Sequence, residues 1–317
     1  MPVPIPNALT RSLLSCAAAA SLAFSSAPAV AYGDLYVFGD SLSDSGRLFA
    51  MTGNLVPPFP YFEGRFSNGP VAVELLASGL GANLHNFAVA GAQTSTLGQI
   101  QGTGMTSQLN EFAGLVTGTG ADPTALYFVW GGANDLRAAG ANAGAAIAPT
   151  IGNLANIVGT LYNLGARDFL LPNLPDLGLT PEAIEGGPVA VAGASAVSQA
   201  FNFNLAATYS FVASMSPGAH FMYFDALGAQ TTIVGGVGGN GFTNVTNRCF
   251  DTRNPADITL CATPDSYLYW DNIHPTAAAH ALLGAQMLAA VPEPQTMLMM
   301  AVGVLGLLGW SRRPRQA

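Results

Sequence analysis

Leu35-Tyr36-Val37-Phe38-Gly39-Asp40-Ser41-Leu42-Ser43-Asp44-Ser45-Gly46 governs how the rest of the chain is read. An apolar β-type run, Leu35 to Phe38, stops abruptly at a Gly-Asp-Ser turn. Such a turn leaves the Ser41 hydroxyl at the carboxyl end of a strand, where open parallel sheets build their sites. It also lets backbone N–H groups of the following segment face whatever the hydroxyl attacks. The competing reading is a helix cap or turn serine, the usual job of Ser in an Asp-Ser-x-Ser-Asp string. A distant histidine and asparagine, His274 and Asn134, favour the nucleophile.

Outward from Ser41, short apolar runs alternate with longer helical segments. Strands are expected at Asp34–Gly39, Leu84–Val89, Leu126–Trp130, Asp168–Leu171 and His220–Phe224, and helices at Pro70–Leu80, Thr106–Val116, Ala145–Leu164, Pro188–Ser214 and Thr276–Leu288. This alternation predicts an α/β protein, a three-layer α/β/α sandwich with a five-stranded parallel sheet of flavodoxin-like type. Thr231 to Asn247, rich in Gly, Thr and Asn, reads as a flexible loop. The segment Asn173 to Gly178 follows the fourth strand and is placed to line a cleft.

Three further blocks follow in order: Asn86-Phe87-Ala88-Val89-Ala90-Gly91-Ala92, Gly132-Ala133-Asn134-Asp135 and Asp271-Asn272-Ile273-His274-Pro275. With the Gly39-Asp40-Ser41-Leu42 block they resemble the four sequence blocks of the GDSL, or SGNH, esterase and lipase family. That resemblance implies the SGNH hydrolase fold and a catalytic triad of Ser41, His274 and Asp271. It also implies an oxyanion hole made by the N–H of Ser41, the N–H of Gly91 and the side-chain amide of Asn134. The chemistry asks for the same residue types: a serine hydroxyl needs a base near neutral pKa, and the base needs a partner that fixes its tautomer. Asp271 and His274, three residues apart in a turn before a helix, can supply both. Gly91 is also explained by a loop needing positive φ or close packing, and Asn134-Asp135 by a helix cap. Asp135 is read as structural. His85 and His220 begin expected strands at the far end of the sheet, and His280 lies on the last helix in a packing or exposed position, so none competes with His274.

The two ends report on location. Residues 1–31 carry one charge, Arg11, an apolar stretch from Leu13 to Phe24 and small residues at Ala29 and Ala31, the pattern of a secretory signal cleaved before Tyr32. Residues 292–317 read Pro292-Glu293-Pro294, then an uncharged, mainly apolar run from Gln295 to Ser311, then an arginine cluster. This tripartite order resembles the PEP-CTERM sorting signal of Gram-negative bacteria. It implies an exosortase-type protease as partner, transient membrane residence through a short spanning segment, and delivery to the cell surface or extracellular matrix. Residues 32–291 then form the hydrolase domain, long enough for one large core.

Composition excludes other classes. The chain has ten Arg, no Lys and a net charge of −8; residues 32–291 alone carry 6 basic and 17 acidic groups, net −11, which disfavours nucleic acid. Cys249 and Cys261 remain after the signal is removed and are expected to pair in an oxidising compartment. No zinc spacing, phosphate loop or dinucleotide fingerprint is present, so no cofactor or metal is expected. The sequence thus describes an exported hydrolase of a small ester or lipid substrate. Two alternatives stand beside it: a carbohydrate acetylesterase acting on exopolysaccharide, and a non-catalytic surface protein that kept the fold.

Overall fold

A computed structural model describes residues 32–236, 240–254 and 256–292. The expected signal (1–31) lies outside the described residues, as do 293–317 of the expected sorting tail. The central sheet consists of β1 (Asp34–Gly39), β2 (Asn83–Asn86), β3 (Leu126–Trp130), β4 (Asp168–Pro172) and β5 (His220–Phe224). Its order is β2-β1-β3-β4-β5 and every pairing is parallel. This is the flavodoxin-like order, in which the strand sequence reverses beside β1 and opens a crevice at the carboxyl ends.

The sheet is apolar on both faces because it is covered on both. In β3, Leu126, Phe128 and Trp130 face one layer while Tyr127 and Val129 face the other, and all five are buried. Against the first face pack α2 (Ala72–Leu80) and α9 (Ala277–Ala290), with Val73, Leu76, Leu283 and Met287 in one core with Leu35 and Val37. Against the second lie α3 (Met105–Leu115), α5 (Ala143–Leu164) and α7 (Pro188–Ser214), whose Phe112, Leu154, Leu161 and Phe201 close around Phe38 and Phe169. Thr276 caps α9, its hydroxyl accepting the Ala279 N–H at 3.3 Å.

Shorter pieces complete the crevice: α1 (Arg47–Met51), α4 (Ala133–Ala139), α6 (Pro181–Glu185) and α8 (Ala226–Gly235). Two small ribbons stand beside them, β6 (Asn244–Arg248) with β9 (Tyr267–Tyr269) and β7 (Phe250–Asp251) with β8 (Thr259–Leu260). Two expectations are corrected. β2 ends at Asn86 rather than Val89, because the Asn86 side chain turns back to the Ser43 carbonyl and the chain peels away, keeping Phe87 N–H to Val37 O (2.8 Å) and Val89 N–H to Gly39 O (3.3 Å). The expected loop 231–247 is in part ordered structure: its start completes α8, its end enters β6, and residues 237–239 lie outside the description.

Candidate active site

Ser41 sits two residues beyond the end of β1, on a turn held by several contacts. Gly39 permits the turn to close, since a Cβ there would lie 2.8 Å from the Trp130 carbonyl oxygen. The buried Gln108 amide, from α3, binds both polar groups of Gly39, accepting its N–H at 3.0 Å and donating to its C=O at 2.8 Å. The Asp40 carbonyl accepts the N–H of Ser43 (3.0 Å) and Asp44 (2.9 Å). Asp44, fully buried, accepts N–H groups from Gly46, Arg47, Leu48 and Ala90, so one carboxylate joins the serine turn, the start of α1 and the glycine block. Burial pushes its pKa up against those four donors, and a buried carboxylate without them would be far more costly.

The last block closes on the first. His274 Nε2 lies 2.8 Å from Ser41 Oγ, and His274 Nδ1 lies 2.7 Å from Asp271 Oδ2. The other carboxylate oxygen, Oδ1, accepts the N–H of Ile273 (2.9 Å) and of His274 (2.8 Å). All three side chains are buried. Burial pushes the Asp271 carboxyl up, but the His274 charge, its ring hydrogen bond and the two backbone donors outweigh this and hold it below the usual carboxylate range. The segment is braced by the ribbons: Trp270 N–H donates to His274 O (2.8 Å), Phe250 N–H to Trp270 O (2.7 Å), and Cys249 is disulfide-bonded to Cys261.

Asn134, at the start of α4, lines the same cleft as Ser41 and His274 and donates through Nδ2 to Ala92 O at 3.0 Å, a bond that uses one of its two amide hydrogens. Gly91 has φ of 76°, the left-handed region, and a Cβ there would meet the Gln99 side chain at 2.8 Å. Among the described residues, neither the Ser41 nor the Gly91 N–H is taken by a backbone acceptor. Beyond Ser41 the cleft is walled by the apolar side chains of Ala226, Ile233, Leu268, Ala279 and Leu283. Asp40 borders it too, its carboxyl pushed up to about 6 by burial, with the Leu42 N–H and the His274 charge pulling the other way. Among the described residues, no cluster of three or more His, Cys, Asp or Glu side chains is placed to hold a metal ion.

Residues 35–287 match the family described as GDSL-like lipase/acylhydrolase. The chain belongs to that family. It is therefore a GDSL-type ester hydrolase, and residues 290–313 match the PEP-CTERM protein-sorting motif. A GDSL esterase/lipase of Arabidopsis thaliana is 28% identical over 308 residues, covering 78% of this chain and 84% of that protein. A phosphatidylcholine-sterol acyltransferase of Aeromonas hydrophila is 34% identical over 159 residues, 48% of each chain, so this chain spans about half of that relative. A solved α/β hydrolase from the metagenome of Lake Arreo, 14% identical, aligns with 82% of this chain and 94% of its own at a TM-score of 0.47.

The remaining histidines of this GDSL hydrolase take other work. His85 and His220 pair with Asp34 and Asp168 at 2.7 and 2.9 Å at the amino ends of the strands. His280 is fully buried, accepts the Ala72 N–H at Nδ1 (3.2 Å), and has its pKa pushed down to about 3 by burial and by the nearby His274 charge. Asp135 accepts from Thr94 N–H and hydroxyl, joining the glycine block to α4. Pro175 and Leu177 of the segment after β4 line the cleft. Sequence reading did not single out Asp44, Gln108, Tyr61 or Arg137. Arg137 binds Glu182 through two nitrogens (2.9 and 2.7 Å), and Glu182 meets Asn272, which ties the Asn134 helix to the triad loop across the mouth of the cleft. For Asp44 a signal existed, an Asp followed by the glycine needed to start a helix turn; the other three contacts span tens to hundreds of positions with no motif to announce them.

Proposed function

We propose that this GDSL hydrolase cleaves carboxylic esters through a Ser41–His274–Asp271 triad and an acyl-enzyme. The observation that carries the reading is the continuous hydrogen-bonded line Ser41 Oγ, His274, Asp271, ending at an apolar cleft. Ser41 Oγ attacks the ester carbonyl while Nε2 takes its proton; Asp271 keeps the other ring proton on Nδ1 and balances the imidazolium. The N–H groups of Ser41 and Gly91 and the Asn134 amide receive the oxyanion. The imidazolium then protonates the departing alcohol, leaving the acyl group on Ser41. Water, deprotonated by His274, releases the acid.

The apolar wall of the cleft favours an aliphatic acyl chain longer than acetyl, because each methylene transferred from water adds about 0.8 kcal/mol of binding. Small esters or lipids are thus the substrates, ahead of the exopolysaccharide acetylesterase reading; a non-catalytic role leaves the buried triad geometry without a purpose. The chain is organised as signal (1–31), hydrolase domain (32–291) and PEP-CTERM tail (292–317), with an exosortase-type protease as processing partner and the surface or matrix of a Gram-negative bacterium as destination. The sorting motif and the disulfide support export. Among the described residues no helix is long and apolar enough to cross a membrane. The test is hydrolysis of p-nitrophenyl esters from acetate to palmitate: a maximum beyond acetate is expected, and activity confined to acetate would favour the acetylesterase.

A further inference from the structure

Tyr61 reaches the site from a segment 210 positions away in sequence and donates its phenol hydrogen to Asp271 Oδ2 at 2.7 Å. That oxygen is the one that also accepts His274 Nδ1–H, also at 2.7 Å. With the Ile273 and His274 N–H groups on Oδ1, every acceptor position of the carboxylate is used, and the group cannot turn without giving up a donor. Two of the four donors belong to the loop that carries Asp271 and one is the base itself. Tyr61 is the donor supplied from elsewhere in the fold.

The ring is held for that purpose. Phe66, Phe250 and Trp270 surround it with centroids at 5.5, 5.6 and 6.3 Å, the last two edge-on. Phe250 and Trp270 pack with the disulfide cysteines. Burial, then the adjacent Asp271 charge, push the phenol up, so it stays protonated and remains a donor at any working pH.

We propose that Tyr61 is a positioning residue of ester hydrolysis that sets how much of the Asp271 charge His274 feels. The proposal rests on the triad reading above. A second donor on Oδ2 draws off part of the carboxylate's negative charge, so less of that charge is directed at the imidazole Nδ1–H. The same bond fixes the carboxylate plane, and with it the ring orientation and tautomer. The other charged or titratable groups around the pair are Asp40 beside Ser41, Arg137 and Glu182 at the mouth, Arg248 near Tyr61, and the buried His280. None of them is removed by a change at Tyr61.

The experiment is the pH profile of kcat/KM and kcat on p-nitrophenyl butyrate for the full chain, its Tyr61→Phe variant, and the chain carrying 3,5-difluorotyrosine at position 61. Phenylalanine keeps the ring packing and removes only the donor; the fluorinated phenol is a stronger donor of nearly the same size. Tyr61→Phe is expected to lose about tenfold in kcat with KM little changed, the scale of a hydrogen bond to a charged group, and its acid limb is expected to move up by roughly half a pH unit. The fluorinated chain is expected to move its acid limb the opposite way. Superimposable pH profiles for all three proteins would overturn the proposal, whether or not the rate falls. Labelling of wild-type Ser41 by a fluorophosphonate separates the two levels: a labelled, active wild type with unshifted variants removes only the role of Tyr61, whereas a wild type that neither labels nor turns over removes the hydrolase reading as well. Should Tyr61→Phe lose its fold by circular dichroism, the fluorinated chain alone decides, through the sign of its shift.

Discussion

At the scale of single residues, the site divides into groups that announce themselves and groups that support them. Ser41, Gly91, Asn134, Asp271 and His274 were legible because each belongs to a short block whose residue types have a chemical reason, and the fold brings all five to the carboxyl edge of the sheet. Gln108 and Tyr61 were not legible, because they work through contacts with partners far along the chain and a lone buried Gln or Tyr carries no local pattern; Asp44 had a local signal in the glycine two residues on, but its bond to the Ala90 N–H, 46 positions away, had none. Asn134 is the residue whose role separates a functional reading from a helix cap. Its replacement, Asn134→Ala, is expected to lower kcat by about 10²–10³ with a small change in KM, as for loss of one oxyanion donor. A purely capping Asn would cost about 1 kcal/mol of stability and leave kcat close to wild type. Steady-state kinetics alongside a denaturant titration separates the two.

At the scale of elements, the long helices and the apolar strands were readable from periodicity, and α7 has the bounds its Pro start and apolar spacing predict. The short pieces were not. α4 and α6 have five to seven residues, too few to show a helical period, and α8 lies partly in a Gly- and Thr-rich stretch that composition assigns to a loop. The strands of the two ribbons, β6 to β9, are two to five residues long, too short to show a strand period. The disulfide closes a short interval of 12 residues and so contributes about 3 kcal/mol by loop entropy. The double variant Cys249→Ser, Cys261→Ser is expected to unfold at lower denaturant by that amount. Its activity should fall as well, because Phe250 N–H holds Trp270 immediately before Asp271. A variant as stable and as active as wild type would detach the ribbon from the site.

At the scale of the whole molecule, the β2-β1-β3-β4-β5 order gathers the functional blocks, since β1, β2 and β3 are neighbours and the loops after them meet. The acid response of the fold follows from its buried groups. His280, depressed to about 3 from 6.5, must stay neutral in the native state while the unfolded chain takes up a proton, so its contribution is present near neutrality and is lost as pH falls below 6.5. Asp40 runs the other way: raised to about 6 from 3.8, it binds its proton more readily in the native state, and its penalty disappears as pH falls through that interval. Asp271, held low, contributes above the ordinary carboxylate range and is lost below it. Between about pH 7 and pH 4.5, wild type is expected to lose about 2 kcal/mol more than His280→Gln, in which a neutral amide replaces the imidazole. Parallel pH dependences from urea unfolding would show that His280 is not the group responsible.

The central claim is that Ser41, activated by His274, is the nucleophile of an ester hydrolase. The most direct measurement is p-nitrophenyl ester turnover by the purified full chain and by Ser41→Ala, with circular dichroism to establish that both are folded. Turnover by wild type, highest for an acyl chain longer than acetyl, and a loss of about 10⁴-fold or more in the folded variant are the predicted result. Retained turnover in folded Ser41→Ala, or a folded wild type inert on every ester from acetate to palmitate, would contradict it.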